Sequence, residues 1–260
     1  MTKENPYYIV QSVERALMIV DVFIRKNKPL GIPEIAEEVK LHKSVVHRLL
    51  ATLKAFQMLE QSPETGKYTV GPKAYEFGSI YMNNPLIMEG RRLLPGLSEE
   101  TGELAHMAIL NQGSLLYVVH QGVPKSLLAY VPVGMRNPLN TTGLGKVLLA
   151  WKDEAEARQL LQAQGMEKRT EKSITDIDAF MSELNAVKSR GYALDDEETK
   201  LGSRCIAFPV RDNTGAVVAG ISVSGTTRTI PEEQIEETAS IVRNYALAIS
   251  ERLGFNDLNR

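Results

Sequence analysis

Cysteine is almost missing from this sequence, since Cys205 is the only one among 260 residues. A single cysteine excludes an intrachain disulfide and a metal centre built from several thiolates. This usage is typical of proteins in a reducing compartment, and we therefore expect a cytoplasmic protein.

Long apolar runs are also missing. The longest uncharged apolar run is far shorter than the roughly 18 residues that a membrane span needs. The opening residues 1–5 are polar, so we expect neither a signal peptide nor a membrane partner. The net charge of −2 excludes a generally basic nucleic-acid coat but leaves room for a local DNA-binding module. The length suits about two domains.

One stretch lacks acidic residues: no Asp or Glu occurs between Glu38 and Glu60. Within it, residues 40–54 carry an apolar set at helical spacing, namely Val46, Leu49, Leu50 and Leu53. Basic and small polar residues take the opposite face. An exposed basic helix face is typical of an element that binds duplex DNA, although an ordinary solvated helix is the alternative.

The neighbouring segments place this helix in a larger pattern. An amphipathic helix is predicted from an N-cap at Ser12 to about Lys26, and Pro33 suits the first position of a second helix. After the basic helix, residues 58–61 and 67–70 are short β-permissive flanks around a turn that contains Pro and Gly. The order predicts a winged helix-turn-helix, whose third helix enters the major groove.

Side chains on the basic helix and the wing are the candidates for DNA contacts. Ser44, His47 and Arg48 suit base edges or phosphates, and Val45 suits a thymine methyl group. Alternatives remain open: His47 as a mere surface residue, Arg48 as an ion-pair partner of Glu37 or Glu38, and the whole module as a protein-interaction domain. The predicted DNA-binding residues are Lys43, Ser44, Val45, His47, Arg48, Lys54, Lys67 and Tyr68.

The residues of this head resemble a known family. Residues 31–36, 41–50 and 52–53, with Lys67, Tyr68 and Gly71, are similar to the head of the isocitrate lyase regulator (IclR) family of bacterial transcription factors. Ile32 and Pro33 replace what is usually a Leu/Thr pair there. The resemblance implies a sequence-specific transcriptional regulator that binds double-stranded operator DNA as a homodimer or homotetramer.

Beyond the head, the spacing of apolar residues along the chain changes. We predict a winged helix-turn-helix domain over residues 7–71, a linker helix over 72–84, and an α+β domain with an antiparallel sheet over 85–256. Among its strands, the third is predicted over Ser126–Val131. The order of elements resembles the GAF-like effector domain of the same family.

Three segments of the second domain carry polar groups that could bind a ligand. Residues 137–150 lead from glycines and small polar residues into a helix start, which can hold a carboxylate, but they match neither a P-loop nor a dinucleotide fingerprint. Residues 195–198 are four consecutive carboxylates, and most such runs are solvated loops. Ser222 and Ser224 alternate along a strand and share one face.

The resemblance implies that these segments form a pocket for a small organic acid, with the amides near Gly143 and Leu144 on its anionic end. Residues 137–151 most resemble family members that sense keto-sugar acids. We expect no cofactor, no metal and no catalytic residues. An enzyme acting on a keto acid through Asp195, Glu198, His106 and Cys205 is the alternative, while His106 and His120 are expected to be core or pocket-wall residues. The predicted effector-binding residues are Asn140, Thr142, Gly143, Leu144, Asp195, Cys205, Ser222 and Ser224.

Overall fold

The computed structural model describes residues 8–123 and 130–256. The chain forms two compact units, divided between Asn83 and Asn84. The division falls within the predicted linker segment, and the exact domain bounds stay a prediction. No helix within the described residues is long and apolar enough to cross a membrane.

The first unit is a three-helix head with a wing and one more helix, which confirms the predicted winged helix-turn-helix. Its two strands pair antiparallel as a hairpin. In chain order the elements are α1 Gln11–Lys26, α2 Ile32–Val39, α3 Lys43–Ala55, β1 Leu59–Gln61, β2 Tyr68–Val70 and α4 Pro72–Tyr81.

The core of this unit forms where the three helices and the hairpin meet. Val46 and Leu50 of α3 are fully buried, and Leu49 and Leu53 pack against the same cluster, as the helical spacing predicts. The predicted cap of α1 is wrong: the helix begins at Gln11, and the preceding Val10 supplies no side-chain cap. Burial of the apolar α3 face leaves its polar face for solvent or a partner.

The second unit is an α+β domain with an antiparallel sheet, as predicted. Among the described residues, the sheet has six strands in the order β5-β4-β3-β8-β7-β6. In chain order the elements are α5 Pro85–Thr101, β3 Leu104–Asn111, β4 Ser114–Gln121, β5 Arg136–Asn137, α6 Gly143–Ala150, α7 Glu154–Gln164, α8 Ile177–Arg190, β6 Ala193–Asp196, β7 Ser203–Arg211, β8 Val217–Thr226 and, after a 3-10 turn at Glu232–Gln234, α9 Ile235–Arg252.

The sheet has a different set of helices on each face. α5 and α9 pack on one face, and α6 packs on the other, against β6, β7 and β8. Ala108, Ala193 and Ala207 belong to the apolar cluster beneath α6. Because side chains alternate along a strand, Asp195 and Cys205 lie on this same face.

Two strands differ from the sequence prediction. Residues 126–129 of the predicted third strand lie outside the described residues, and Tyr130 and Val131 are not in a strand. The run of four carboxylates is not simply a solvated loop, because Asp195 and Asp196 belong to β6, which pairs with β7.

Candidate functional site

The start of α3 is capped by a histidine. Nδ1 of His42 accepts a hydrogen bond from the Ser44 amide at 3.4 Å and lies 2.8 Å from Ser44 Oγ. The side chains of Lys43, Ser44 and His47 are exposed. The capping role of His42, whose ring is tied to a predicted DNA-contacting hydroxyl, was not apparent from the sequence.

Arg48 is exposed and makes no ion pair within residues 8–123 and 130–256. The alternative that it pairs with Glu38 is not what the structure shows, because Glu38 lies 2.5 Å from Lys26 Nζ and 3.7 Å from Arg25. The Arg48 guanidinium is therefore available to an anionic partner.

The remaining candidates lie on α3 and on the wing. Val45 is half-buried, and Lys54 Nζ donates to Gln61 Oε1 on the wing at 3.1 Å. Lys67 is exposed, with Nζ 3.9 Å from Glu34 Oε2. These contacts are exposed and weak enough for a phosphate to replace.

Tyr68 is a correction to the predicted DNA-binding set. Its side chain is only 3% exposed and belongs to the core of the head. Its backbone exchanges two hydrogen bonds with Leu30, at 2.8 and 3.0 Å. The side chain thus holds the wing to the helices and does not reach DNA.

In the second unit, the side chain of Thr142 caps the start of α6. Thr142 Oγ1 accepts from the Gly145 amide at 3.0 Å and donates to the Pro138 carbonyl at 3.2 Å. The amides of Gly143 and Leu144 belong to the first turn, whose N–H groups have no intrahelical acceptor. Together with the helix dipole, they make this end suitable for an anion.

Glycine is required at position 145 of this helix start because the backbone of the preceding loop lies very close to its α-carbon. A Cβ atom on Gly145 would lie 2.2 Å from the Leu139 carbonyl oxygen. One on Gly143 would lie 3.4 Å from Ala207 Cβ. That distance is an ordinary van der Waals contact, so the close approach that excludes a side chain is the one at Gly145.

A small cavity of about 40 Å³ lies beside the start of α6. Tyr117, Thr199, Ser203 and Arg204 also line it, and sequence reasoning did not select them. A larger open groove of about 510 Å³ between α8, β7 and α9 contains none of the predicted effector-binding residues. The predicted residues that line the small cavity are Thr142, Leu144, Asp195, Cys205 and Ser224.

Asn140 is a correction to the predicted effector-binding set. It is fully buried, and its amide nitrogen donates to the carbonyls of Glu167 and Ile174, both at 2.9 Å. Its amide oxygen accepts from the Glu167 amide at 3.2 Å. The side chain is committed to the loop after α7 and does not line the cavity.

The polar wall of the cavity contains ionisable groups. Burial disfavours their charged forms. Burial raises the pKa of Asp195, while its Oδ1 accepts from the amides of Glu198 (2.8 Å) and Thr199 (3.2 Å). Burial, and then the nearby Asp195, raise the pKa of the Cys205 thiol to about 11. The thiol is therefore neutral near pH 7 and forms a wall.

A buried ion-pair network supports this wall from behind. Lys146 is 1% exposed, and its Nζ donates to the Leu194 carbonyl at 2.8 Å and to Glu198 Oε1 at 2.5 Å. Glu183 also accepts from it at 3.3 Å. Burial raises the pKa of Glu198 to about 7. The network ties α6 to β6 and was missed because it joins segments far apart in sequence.

Arg204 at the edge of the cavity holds the end of β6. Its Nε donates to Asp196 Oδ1 at 2.8 Å, and one terminal nitrogen donates to the Ile230 carbonyl at 2.8 Å. With 8% exposure, it is positioned by the fold and not by a ligand.

Both units match sequence profiles of one family. Residues 12–63 match the IclR helix-turn-helix domain, and residues 80–251 match the C-terminal domain of the bacterial transcriptional regulator IclR. The chain belongs to the IclR family.

Similar proteins share this organisation over nearly the whole chain. The HTH-type transcriptional regulator KdgR of Escherichia coli K12 is 35% identical over 95% of this chain and 94% of its own. BhcR of Paracoccus denitrificans is 36% identical over 93% of this chain and 86% of its own. An IclR regulator from Alicyclobacillus acidocaldarius superimposes with a TM-score of 0.85 at 25% identity, over 95% of this chain and 100% of its own. This IclR-family protein is thus a transcriptional regulator with a DNA-binding helix-turn-helix and a C-terminal ligand-binding domain.

Proposed function

We propose that the exposed face of α3 reads operator DNA in the major groove and that Arg48 is its central contact. The observation that carries this is the exposed Arg48 guanidinium, which makes no ion pair in the part of the chain that the structure describes, on a helix face without acidic residues. Lys43, Ser44 and His47 flank it, and Lys54 and Lys67 suit the phosphates on either side. An arginine can bind guanine through two hydrogen bonds, which gives sequence specificity.

The DNA-binding form is proposed to be a homodimer or a dimer of dimers. α1 exposes apolar side chains on the side away from the core, with Val13 at 55% and Leu17 at 59% exposure. α4 adds Tyr75 at 82% and Phe77 at 75%. Exposed apolar side chains of this kind favour a protein partner, and a second copy would place two α3 helices on two half-sites.

The cavity beside α6 is proposed to bind a small keto or sugar acid. The amides of Gly143 and Leu144 suit its carboxylate, and Thr142, Asp195 and Ser224 suit hydroxyl or carbonyl groups. A volume of about 40 Å³ holds only a few waters, since one water needs about 10–15 Å³. The acid must therefore widen the cavity, which gives it different affinities for two arrangements of the domain.

That difference in affinity would couple binding of the acid to binding of DNA. By linkage, an acid that favours one arrangement changes operator affinity by the same factor as DNA changes the affinity for the acid. A relative from Escherichia coli, 29% identical, is named a transcriptional repressor, and repression is the role we infer here. The proposed role includes no chemical turnover of the acid.

The test of the DNA-binding surface is Arg48→Ala, with Arg92→Ala, a change of another exposed arginine in the second unit, as its control. The probe is an operator fragment that the wild-type protein selects from genomic DNA, measured by fluorescence anisotropy. Arg48→Ala should lower affinity about 5- to 150-fold, because a good bidentate contact is worth about 1–3 kcal/mol. Wild-type affinity should also fall steeply with salt. Unchanged affinity of Arg48→Ala would remove α3 as the recognition helix.

The test of the cavity is Asp195→Asn, an isosteric change beside the proposed ligand. A panel of keto acids, sugar acids and aromatic acids is screened by thermal shift, since a ligand of the native state raises apparent stability. The acid found should alter operator affinity of the wild type and act more weakly on Asp195→Asn. Ser182→Ala on α8 is the control, and an identical response of all three proteins would place the effector elsewhere.

A further inference from the structure

An open groove of about 510 Å³ in the second unit follows one face of α9. The helix lines it at every third or fourth residue from Glu236 to Ser250. That stretch of α-helix is about 21 Å long, so the groove is elongated. The end of α8 with Tyr192, and Phe208 on β7, form the opposite wall.

Positive charge dominates the lining of this groove. Among the described residues, four cationic side chains line it, namely Lys188, Arg190, Arg211 and Arg243. One carboxylate, that of Glu236, also lines it and accepts from the Tyr192 hydroxyl at 2.6 Å. Arg190 lies 2.8 Å from Glu183, whereas Lys188 and Arg243 are exposed and make no ion pair in the described part of the chain. The groove is thus complementary to an anionic partner, although the chain has a net charge of −2.

Two of the guanidinium groups are held in place by the fold. The Arg190 guanidinium carbon lies 5.2 Å from the centroid of the Tyr192 ring, and Nε donates to the Tyr192 carbonyl at 2.7 Å. The Arg211 guanidinium carbon lies 4.9 Å from the Trp151 ring, and one terminal nitrogen donates to the Gly215 carbonyl at 2.8 Å. Side chains that are already ordered lose little entropy when a partner binds.

These two guanidinium groups lie near opposite ends of the groove. Arg190 lies over the tyrosine ring whose hydroxyl donates to Glu236, near the start of α9. Near the end of α9, Ser250 Oγ accepts from the Arg211 amide at 3.0 Å. Arg243 lies half-way along the helix between them. Cations are therefore spread along the groove, and a single small anion would meet only part of them.

Apolar side chains lie between the charges. Four of them are half-buried, namely Trp151, Pro209, Leu247 and Phe255. In an extended peptide, successive side chains point to opposite sides, and about six residues span the length of the groove. Acidic side chains at alternate positions would meet the exposed cations, and the apolar side chains between them would meet this lining.

We propose that this groove binds an extended acidic segment of a partner protein, with apolar residues at alternate positions of that segment. A second copy of the chain is disfavoured, because a two-fold contact places the same patch of both copies together and would bring cations against cations. The groove shares no lining residue with the cavity beside α6, so peptide binding does not depend on the proposed effector function.

The experiment is fluorescence anisotropy of labelled hexapeptides with the full-length protein at low salt. The probe alternates aspartate and leucine. One control peptide alternates asparagine and leucine, and the other alternates aspartate and serine. The variants are Arg243→Glu, Lys188→Glu and Ser240→Phe, with Arg228→Glu, a change of an exposed arginine outside the groove, as the matched control. Thermal melting of each variant checks its folding.

The wild type should bind the probe, and binding should weaken as salt rises, since salt screens exposed charges. Arg243→Glu and Lys188→Glu should each weaken binding about 2- to 30-fold, because repulsion replaces the attraction of an exposed ion pair. Ser240→Phe, which fills the groove from an exposed position, should abolish binding. Arg228→Glu should bind the probe as the wild type does, and both control peptides should bind more weakly than the probe.

Four results would overturn the assignment. The first is a wild type that does not bind the probe, and the second is equal affinity of Arg243→Glu, Lys188→Glu and Arg228→Glu. The third is equal affinity for the serine and leucine peptides, which would reduce the groove to a charged surface. The fourth is a change of Arg243→Glu in another assay: a shifted oligomeric state in sedimentation would make the groove an interface between copies, and weaker operator binding would make it a DNA contact.

Discussion

Lys146 is a single residue whose contacts join α6 to α8 and β6 in the second unit. The residue is 1% exposed, and its ammonium group is held by Glu198, Glu183 and the Leu194 carbonyl. A buried charge persists only with such partners, because removing it from water is costly. Its position fixes β6, and through β6 the Asp195 wall of the cavity.

We predict that Lys146→Met lowers the free energy of unfolding of the second unit by about 3–5 kcal/mol, since it leaves buried carboxylates without their partner. Urea unfolding followed through Trp151, the single tryptophan, reports on this unit. Adding Glu198→Gln should recover part of the loss, because the removed charge no longer needs a partner. A Lys146→Met variant as stable as wild type would show that the network contributes nothing.

Two other individual residues show where the structure differs from the predicted sites. Tyr68 and Asn140 were selected for DNA and effector contacts, but each is committed to its own core. Their residue types suit a ligand as well as a structural role. Only the positions of Leu30 and Glu167, both distant in sequence, decide between the two.

At the scale of elements, the junction between β2 and α4 depends on a close backbone approach. A Cβ atom on Gly71 would lie 2.3 Å from the Gln57 carbonyl oxygen. The Gly71 amide donates to the Met58 carbonyl at 2.9 Å, and the Lys73 amide to the Gln57 carbonyl at 3.1 Å. The first turn of α4 is thus attached to the head.

We predict that Gly71→Ala destabilises the head by about 1–3 kcal/mol, as overpacking does. Gly78→Ala on α4, where a Cβ would meet nothing within 4 Å, should be neutral or slightly stabilising. Hydrogen exchange of the α3 amides measures both changes. Equal protection in the two variants would contradict the proposed steric constraint.

α1 illustrates what helical spacing can and cannot predict. The period predicts a helix ending near Lys26, and the structure ends it there. The buried residues are Ile19, Val22 and Phe23, whereas Val13 and Leu17, from the same apolar pattern, are exposed. A helix with apolar residues on more than one side does not itself determine which side meets its own core.

At the scale of the whole molecule, the proposed dimer depends on the exposed apolar side chains of α1. We predict that Leu17→Glu shifts the protein from dimer towards monomer in sedimentation analysis, because a charge would be buried at the interface. Operator affinity should fall in parallel, since one head contacts one half-site. Val123→Glu changes an even more exposed apolar residue of the other unit and should do neither. An intact Leu17→Glu dimer would place the interface elsewhere.

The sequence by itself determined the features that depend on neighbours along the chain. The helical period of residues 43–55, the wing punctuated by Pro and Gly and the basic face around Arg48 are all local patterns. The family resemblance rested on the same local runs, and the comparisons confirm it.

Only the tertiary structure decided what depends on contacts between distant segments. It buried Tyr68 and Asn140, placed Lys146 against Glu198, and set His106 beside Ser222 across two strands that are more than a hundred residues apart. The physical reason is that burial and hydrogen bonding are satisfied by whichever groups the fold brings together, and spacing along the chain does not specify those groups.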